Sequence, residues 1–192
     1  NGLKLFNSQG MKLSDFCESK LQDLILNTDL NQYLTTSEEL GRAKRLDDAP
    51  GRYIEHVKRS FPKGLSLNGL RIVVDCANGA AYHLAPTIFW ELGADVVKIG
   101  CEPDGLNINK DCGSMHPERM INKVLETRAD LGISLDGDAD RVVMCDEKGK
   151  LIAGDHIIAM IAQSMKEQNT LSGNSVIVTQ MSNAALEEYL EI

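Results

Sequence analysis

The sequence predicts an α/β fold built on a layered sheet, and three observations carry that expectation. From Leu70 onward, short β-branched runs alternate with segments of helical periodicity, the order expected of successive βαβ units. The runs "LRIVVDC" (70–76), "ADVVKIG" (94–100) and "ADLGISL" (129–135) are almost continuously apolar, which suits strands covered on both faces. Hydrophobic residues make up 43% of the 192 positions and charged residues 25%, the balance of a soluble globular protein and not of a disordered chain.

Taken in order, "LKLF" at 3–6 predicts a short strand, and Ser14 caps a helix through about Asn27. In that helix Phe16, Leu21, Leu24 and Ile25 fall near one face. The stretch from Ser37 to Phe61 reads as a helix, a break at Ala49-Pro50-Gly51, and a second helix stopped by Pro62 and Gly64. Beyond the strand at 70–76, a helix from Gly79 to Leu92 ends at Gly93 and leads to the strand at 94–100. Phe89 and Trp90 of that helix are expected in the core. A loop rich in Gly, Pro and Asn follows, in which Asn107–Asn109 satisfy their own backbone. Pro117 then opens a helix to about Arg128, since the first helical turn needs no amide hydrogen. After the strand at 129–135, "RVVMCDEKGKLI" predicts a hairpin about Lys148-Gly149. A helix near Asp155–Lys166, a strand at "SVIVT" (175–179) and a helix from Asn183 complete the order. Together these elements imply a largely parallel sheet.

Charge and cysteine content narrow the function. A formal net charge of −8 with scattered basic residues excludes the basic stripe of a nucleic-acid binder. No apolar run approaches the ~18 residues of a membrane span, and "NGLKLFNSQG" lacks the regions of a signal peptide. The five cysteines include no CxxC pair, which fits reduced thiols and a cytoplasmic setting. His83, His116 and His156 have no metal-ligand spacing and read as surface residues.

The chemistry concentrates in "DGDADR" at 136–141, which three readings can explain. An EF-hand loop would use Asp136, Asp138, Asp140 and Glu147, but Arg141 occupies its glycine position and "DLGISL" before it is a strand. A solvated acidic turn is the second reading. The third places three carboxylates together at the carboxyl end of a buried strand, where extended backbone sends alternate residues to one side. Two carboxylates ~4 Å apart repel by roughly 4 kcal/mol at an effective dielectric of about 20, and a divalent cation removes that cost. All-oxygen ligands favour a hard ion such as Mg²⁺, beside which Arg141 makes a fork for phosphate. Glu147 is then a coincidence of spacing.

"DGDADR" resembles the metal loop of the α-D-phosphohexomutases. With "EPDGLNINKDCGS" at 102–114 it resembles the bacterial phosphoglucosamine mutase branch, and "NGLKLF", "RLDDAPGRYIEHVK" (45–58) and "VVDCANGAAY" (73–82) extend the match over nearly the whole chain. The resemblance implies layered mixed sheets with helices on both faces, in an enzyme of four domains around a cleft. It implies interconversion of glucosamine 6-phosphate and glucosamine 1-phosphate through a phosphoserine and a bisphosphate intermediate. Asp136, Asp138 and Asp140 match the Mg²⁺ ligands, Arg141 the arginine that holds phosphoryl oxygens, and Lys4 the lysine beside the phosphoserine. Lys4 then steers phosphate or assists proton transfer; an exposed strand lysine is its other reading.

The same resemblance implies an incomplete multidomain fragment: the end of domain 1 at 1–50, domain 2 at 51–153 and the start of domain 3 at 154–192. The catalytic serine is expected upstream of Asn1, so this chain alone is expected to lack mutase activity. The expected partner is a hexosamine phosphate, with no nucleic acid and no membrane. An incomplete first domain exposes apolar surface, which makes a homodimer one expected outcome. Two other functions stay open: a mutase acting on glucose or mannose phosphates, and a non-catalytic Mg²⁺ or phosphate-binding module.

Overall fold

A computed structural model describes residues 4–190. The chain divides into two compact units, Asn1–Asp48 and Ala49–Ile192.

In the first unit, Leu3 of the expected strand lies outside the described residues. The remainder forms only an isolated antiparallel bridge, Phe6 with Lys12. Asn7 makes the turn between them, its side-chain oxygen accepting from the amides of Gln9 (2.9 Å) and Met11 (3.0 Å). Helix α1 (Asp15–Asn27) starts as the sequence requires, with the Ser14 hydroxyl accepting from the Cys17 amide. None of its residues is buried. Leu21 and Leu24 are half-buried, while Phe16 and Ile25 remain exposed.

The helix expected after Ser37 does not form. Thr35 and Thr36 direct their hydroxyls to the Glu39 carboxylate, making a turn there, and residues 40–46 carry no regular structure. Leu40 and Leu46 are exposed, so no apolar face is buried to offset the entropy of a helix. The break expected at Ala49-Pro50-Gly51 is instead the start of helix α2 (Ala49–Lys58) in the second unit. Proline in a first turn forfeits no helical hydrogen bond.

The core of the second unit is a five-stranded mixed sheet. Its strands are β1 (Arg71–Asp75), β2 (Asp95–Ile99), β3 (Leu131–Leu135), β4 (Val142–Asp146) and β5 (Leu151–Ile152). They lie in the order β2-β1-β3-β4-β5. β1 pairs in parallel with β2 and β3, whereas β3–β4 and β4–β5 are antiparallel. The parallel part therefore ends at β3, and the expected hairpin extends the sheet. Asp146 makes the tight return between β4 and β5, accepting from the amides of Lys148 (3.0 Å) and Lys150 (2.8 Å). Gly149 there has a φ of 75°, which a glycine adopts at no steric cost.

Helices cover both faces, as the continuous apolar runs require. Ile72 and Val74 point to one side, where they pack with Ala81, Ala85 and Phe89 around helix α3 (Leu84–Glu91). Val73 points to the other, against Met120 and Val124 of helix α4 (Glu118–Thr127). α3 begins later than expected: Ala77 and Asn78 have φ of 54° and 48°, and residues 77–83 are turns. Phe89 does pack on the core, but Trp90 is 67% exposed, because α3 has only one face on the sheet. α4 ends on Arg128 in the left-handed conformation.

Helices α5 (Gly154–Glu167) and α6 (Ala184–Leu190) close the described chain, joined by Tyr189 donating to Gln163 (2.6 Å). The strand expected at 175–179 is absent. Ile177 is 97% exposed and no described strand lies beside it; β-branched residues become a strand only against neighbours that pair and pack with them. No helix among the described residues is long and apolar enough to cross a membrane.

Gly132 of β3 sets how closely α4 approaches. A Cβ there would meet Met120 Sδ, with Cys145 Sγ at 2.7 Å and Val124 Cγ2 at 2.8 Å. Gly132→Ala is expected to lower the unfolding free energy by about 1–3 kcal/mol. Gly51→Ala, whose Cβ would meet nothing within 4 Å in α2, should raise it by about 0.5–1 kcal/mol. Urea unfolding of both variants checks the pair, and an unchanged midpoint for Gly132→Ala would contradict the packing.

Candidate metal centre

The acidic loop leaves the carboxyl end of β3, the central strand of the sheet. Asp136 is 2% exposed, whereas Asp138 and Asp140 face solvent. One oxygen from each of the three carboxylates can be chosen so that all lie within 4.8 Å of one another. The convergence does not come from extended backbone, as the sequence suggested. Residues 137–139 form a tight turn, with the Ala139 amide donating to the Asp136 carbonyl (3.0 Å) and Ala139 at a φ of 58°. Glu147 lies outside the cluster, in the β4–β5 turn, which disposes of the EF-hand reading.

Arg141 closes the loop. Its amide donates to Asp136 Oδ1 (3.0 Å), and its guanidinium reaches Asp136 Oδ2 through Nη2 (2.7 Å) and Nε (3.0 Å). A longer Nε contact of 3.4 Å extends to Asp140. Burial acts to raise the Asp136 pKa, but the Arg141 amide and guanidinium outweigh it and hold the carboxyl below its ordinary value. The Asp136 and Asp140 carboxylates in turn push the Arg141 pKa up. One arginine thus stands among three carboxylates. An all-oxygen set with an excess of negative charge fits a hard divalent cation, with Asp136, Asp138 and Asp140 as its donors.

A buried scaffold fixes this loop from behind. Asp75, fully buried at the end of β1, accepts from the Ala77 amide through Oδ1 (2.9 Å) and from the Gly113 amide through Oδ2 (3.0 Å). Each of those contacts leads to a residue flanking Asp136. The turn after Ala77 sets Gly79 so close to Gly137 that a Cβ would strike the Gly137 carbonyl, to which Ala80 donates (2.8 Å). Beyond Gly113, the Ser114 amide donates to the Leu135 carbonyl (3.0 Å). The Asn-rich loop is held to the same turn. Asn78 accepts from the Glu102 amide (3.0 Å), and Asn107 accepts from the Asp104 amide (3.0 Å) while donating to the Glu102 carbonyl (2.9 Å).

Asp75, Gly79 and Gly113 had no place among the residues singled out in the sequence. The available signal for Asp75 was an acid ending a run otherwise suited to burial on both faces. Lys4, the remaining expected site residue, belongs to the first unit, where it is exposed. His83, His116 and His156 are exposed, as expected of surface residues.

Comparison with known proteins gives the chain a context. Residues 51–149 match the family model described as phosphoglucomutase/phosphomannomutase, alpha/beta/alpha domain II, and residues 153–191 match domain III of the same family. The phosphoglucosamine mutase of Parvibaculum lavamentivorans is 57% identical over 190 residues, which is 99% of this chain and 42% of the relative. That of a Bradyrhizobium species is 56% identical over 191 residues, again 42% of its own length. The chain thus spans 42% of the length of these curated relatives. Among solved structures, a phosphoglucomutase/phosphomannomutase family protein of Burkholderia thailandensis matches with a TM-score of 0.60 and 26% identity, covering 81% of this chain and 32% of that one.

The scaffold can be tested at Asp75. Asp75→Asn keeps one acceptor oxygen but turns an amide donor toward a backbone N–H. It is expected to cost about 1–3 kcal/mol of stability and to speed hydrogen exchange at the Ala77 or Gly113 amide. Unaltered exchange at both amides would show that the carboxylate does not hold the two loops.

Proposed function

The chain belongs to the phosphoglucomutase/phosphomannomutase family, and on that premise we propose that its activity is that of a phosphoglucosamine mutase. Such an enzyme interconverts glucosamine 6-phosphate and glucosamine 1-phosphate, and a hexosamine phosphate is the substrate. The observation that carries this reading is the 57% identity to a phosphoglucosamine mutase over 99% of the chain. The acidic cluster agrees with it, because phosphoryl transfer needs charge balance more than covalent chemistry.

Asp136, Asp138 and Asp140 are proposed to hold Mg²⁺, and Arg141 to bind phosphoryl oxygens beside them. A bound Mg²⁺ would balance negative charge on the phosphoryl group in transfer. Within the loop, the Arg141 backbone amide keeps its bond to Asp136 whatever the guanidinium does, so the side chain can swing to a phosphate without opening the turn. Lys4 is proposed to stand near a phosphoserine, steering phosphate or assisting proton transfer. The expected setting is the cytoplasm.

The test uses a full-length enzyme carrying this sequence, assayed with glucosamine, glucose and mannose phosphates. Turnover should be highest with the glucosamine phosphates, and Asp138→Asn should lower it about a hundredfold or more while leaving the fold intact. Preference for glucose or mannose phosphates would move the enzyme to another branch of the family. Unchanged turnover in Asp138→Asn would remove the metal assignment.

A further inference from the structure

Cys76 and Cys101 form a dithiol that the metal centre does not use. Cys76 is fully buried at the end of β1; Cys101 follows β2 and is half-buried. The Cys76 amide donates to the Ile99 carbonyl (3.1 Å) and the Asn78 amide to that of Gly100 (2.6 Å), so Cys76 runs alongside the Gly100–Cys101 peptide. Strict alternation would send Cys101 to the α4 side, with Val97 and Ile99. Gly100, at a φ of 60°, reverses it, and both thiols enter the cluster on the α3 side. There Cys101 packs against the cluster that holds Cys76, with its thiol donating to the Ile99 carbonyl (3.3 Å), the same carbonyl that accepts from the Cys76 amide. Continuing the β1–β2 register puts Cys76 opposite Gly100 and Cys101 one residue further on, a diagonal of about 6 Å from the spacings of a sheet, within the Cα separations that a disulfide spans.

The two thiols are not equivalent. The neighbouring Cys76 thiol lowers the Cys101 pKa, with help from Lys98, against burial and Asp75. The same pairing, with burial, pushes the Cys76 thiol up. A half-exposed thiol of lowered pKa beside a buried partner is the arrangement of an attacking and a resolving cysteine.

We propose that Cys76 and Cys101 are a redox modification site, closing to an intramolecular disulfide on exposure to hydrogen peroxide. The Cys101 thiolate attacks a peroxide oxygen, breaking the O–O bond; Cys101 becomes a sulfenic acid, and the leaving oxygen takes a proton to depart as water. The Cys76 sulfur, giving up its proton, then attacks the Cys101 sulfur and expels a second water. Overall two thiols are oxidised by two electrons and one hydrogen peroxide is reduced to two waters. The bond would sit beside Asp75, at the root of the 77–79 turn that abuts Gly137.

The experiment treats the folded chain with a stoichiometric amount of hydrogen peroxide, blocks residual thiols, and maps tryptic peptides without reduction. Cleavage after Arg71, Lys98 and Lys110 puts Cys76 on residues 72–98, Cys101 on 99–110 and Cys112 on a separate peptide. The expected product is a cross-link between 72–98 and 99–110, with Cys17, Cys112 and Cys145 still reduced. Cys101 should also be consumed about tenfold faster than the exposed Cys17. In Cys76→Ser, a dimedone-reactive sulfenic acid should persist at Cys101 without a cross-link. Sulfinic acid at Cys101 of the unaltered chain without a cross-link, a Cys101–Cys112 bond, or consumption no faster than Cys17 would each overturn the proposal. Mapping of the unaltered chain decides the matter if the variant does not fold.

Discussion

Crowding of like charge at the end of β3 is the constraint on which the rest of the second unit depends. Three carboxylates have oxygens within 4.8 Å of one another, and Arg141 pairs with two of them, Asp136 and Asp140. Like charges at that separation push apart, so the loop cannot hold its shape by its own electrostatics. Beyond the Arg141–Asp136 pairing, its shape is imposed from outside, by the Gly137 backbone pressed on Gly79 and by the Asn109 and Ile108 side chains pressed on Gly137. The buried Asp75 joins the turn under Gly137 to the segment that pairs with Leu135.

The sheet makes this possible by placing loop ends together. β1 and β3 are parallel neighbours, so Asp75 pairs with Ser134 and both chains leave the sheet on the same side. The continuous apolar character of β1 serves helices on two faces at once, Ile72 and Val74 on one and Val73 on the other. The loops at this end of the sheet carry Ala77, Asn78 and Ala139 at positive φ, a conformation that costs an alanine more than an asparagine.

Much of the fold was legible in the sequence because it was written in local patterns. The β-branched runs announced β1, β2 and β3, Lys148-Gly149 announced the hairpin, and Ser14 and Pro117 marked helix starts. The failures share one cause. Residues 37–48 and "SVIVT" have helix- or strand-like composition but no surface to pack on among the described residues, and propensity alone did not order them. In the centre, the alternating aspartates were readable, but the turn that gathers them was not, since it uses an alanine at positive φ. Asp75, Gly79 and Gly113 act across long sequence separations, and only Asp75, an acid ending an apolar run, left a local trace. The dithiol is of the same kind: a glycine conformation turns Cys101 toward Cys76, and no spacing rule foretells it.

The central claim is that Asp136, Asp138 and Asp140 form one divalent-cation site. Amide NMR of the chain during titration with Mn²⁺, a paramagnetic stand-in for Mg²⁺, tests it most directly. Saturable broadening centred on residues 136–141, relieved by excess Mg²⁺, is the outcome the proposed site predicts. Broadening spread evenly over the acidic surface, or centred on Glu147, would contradict it.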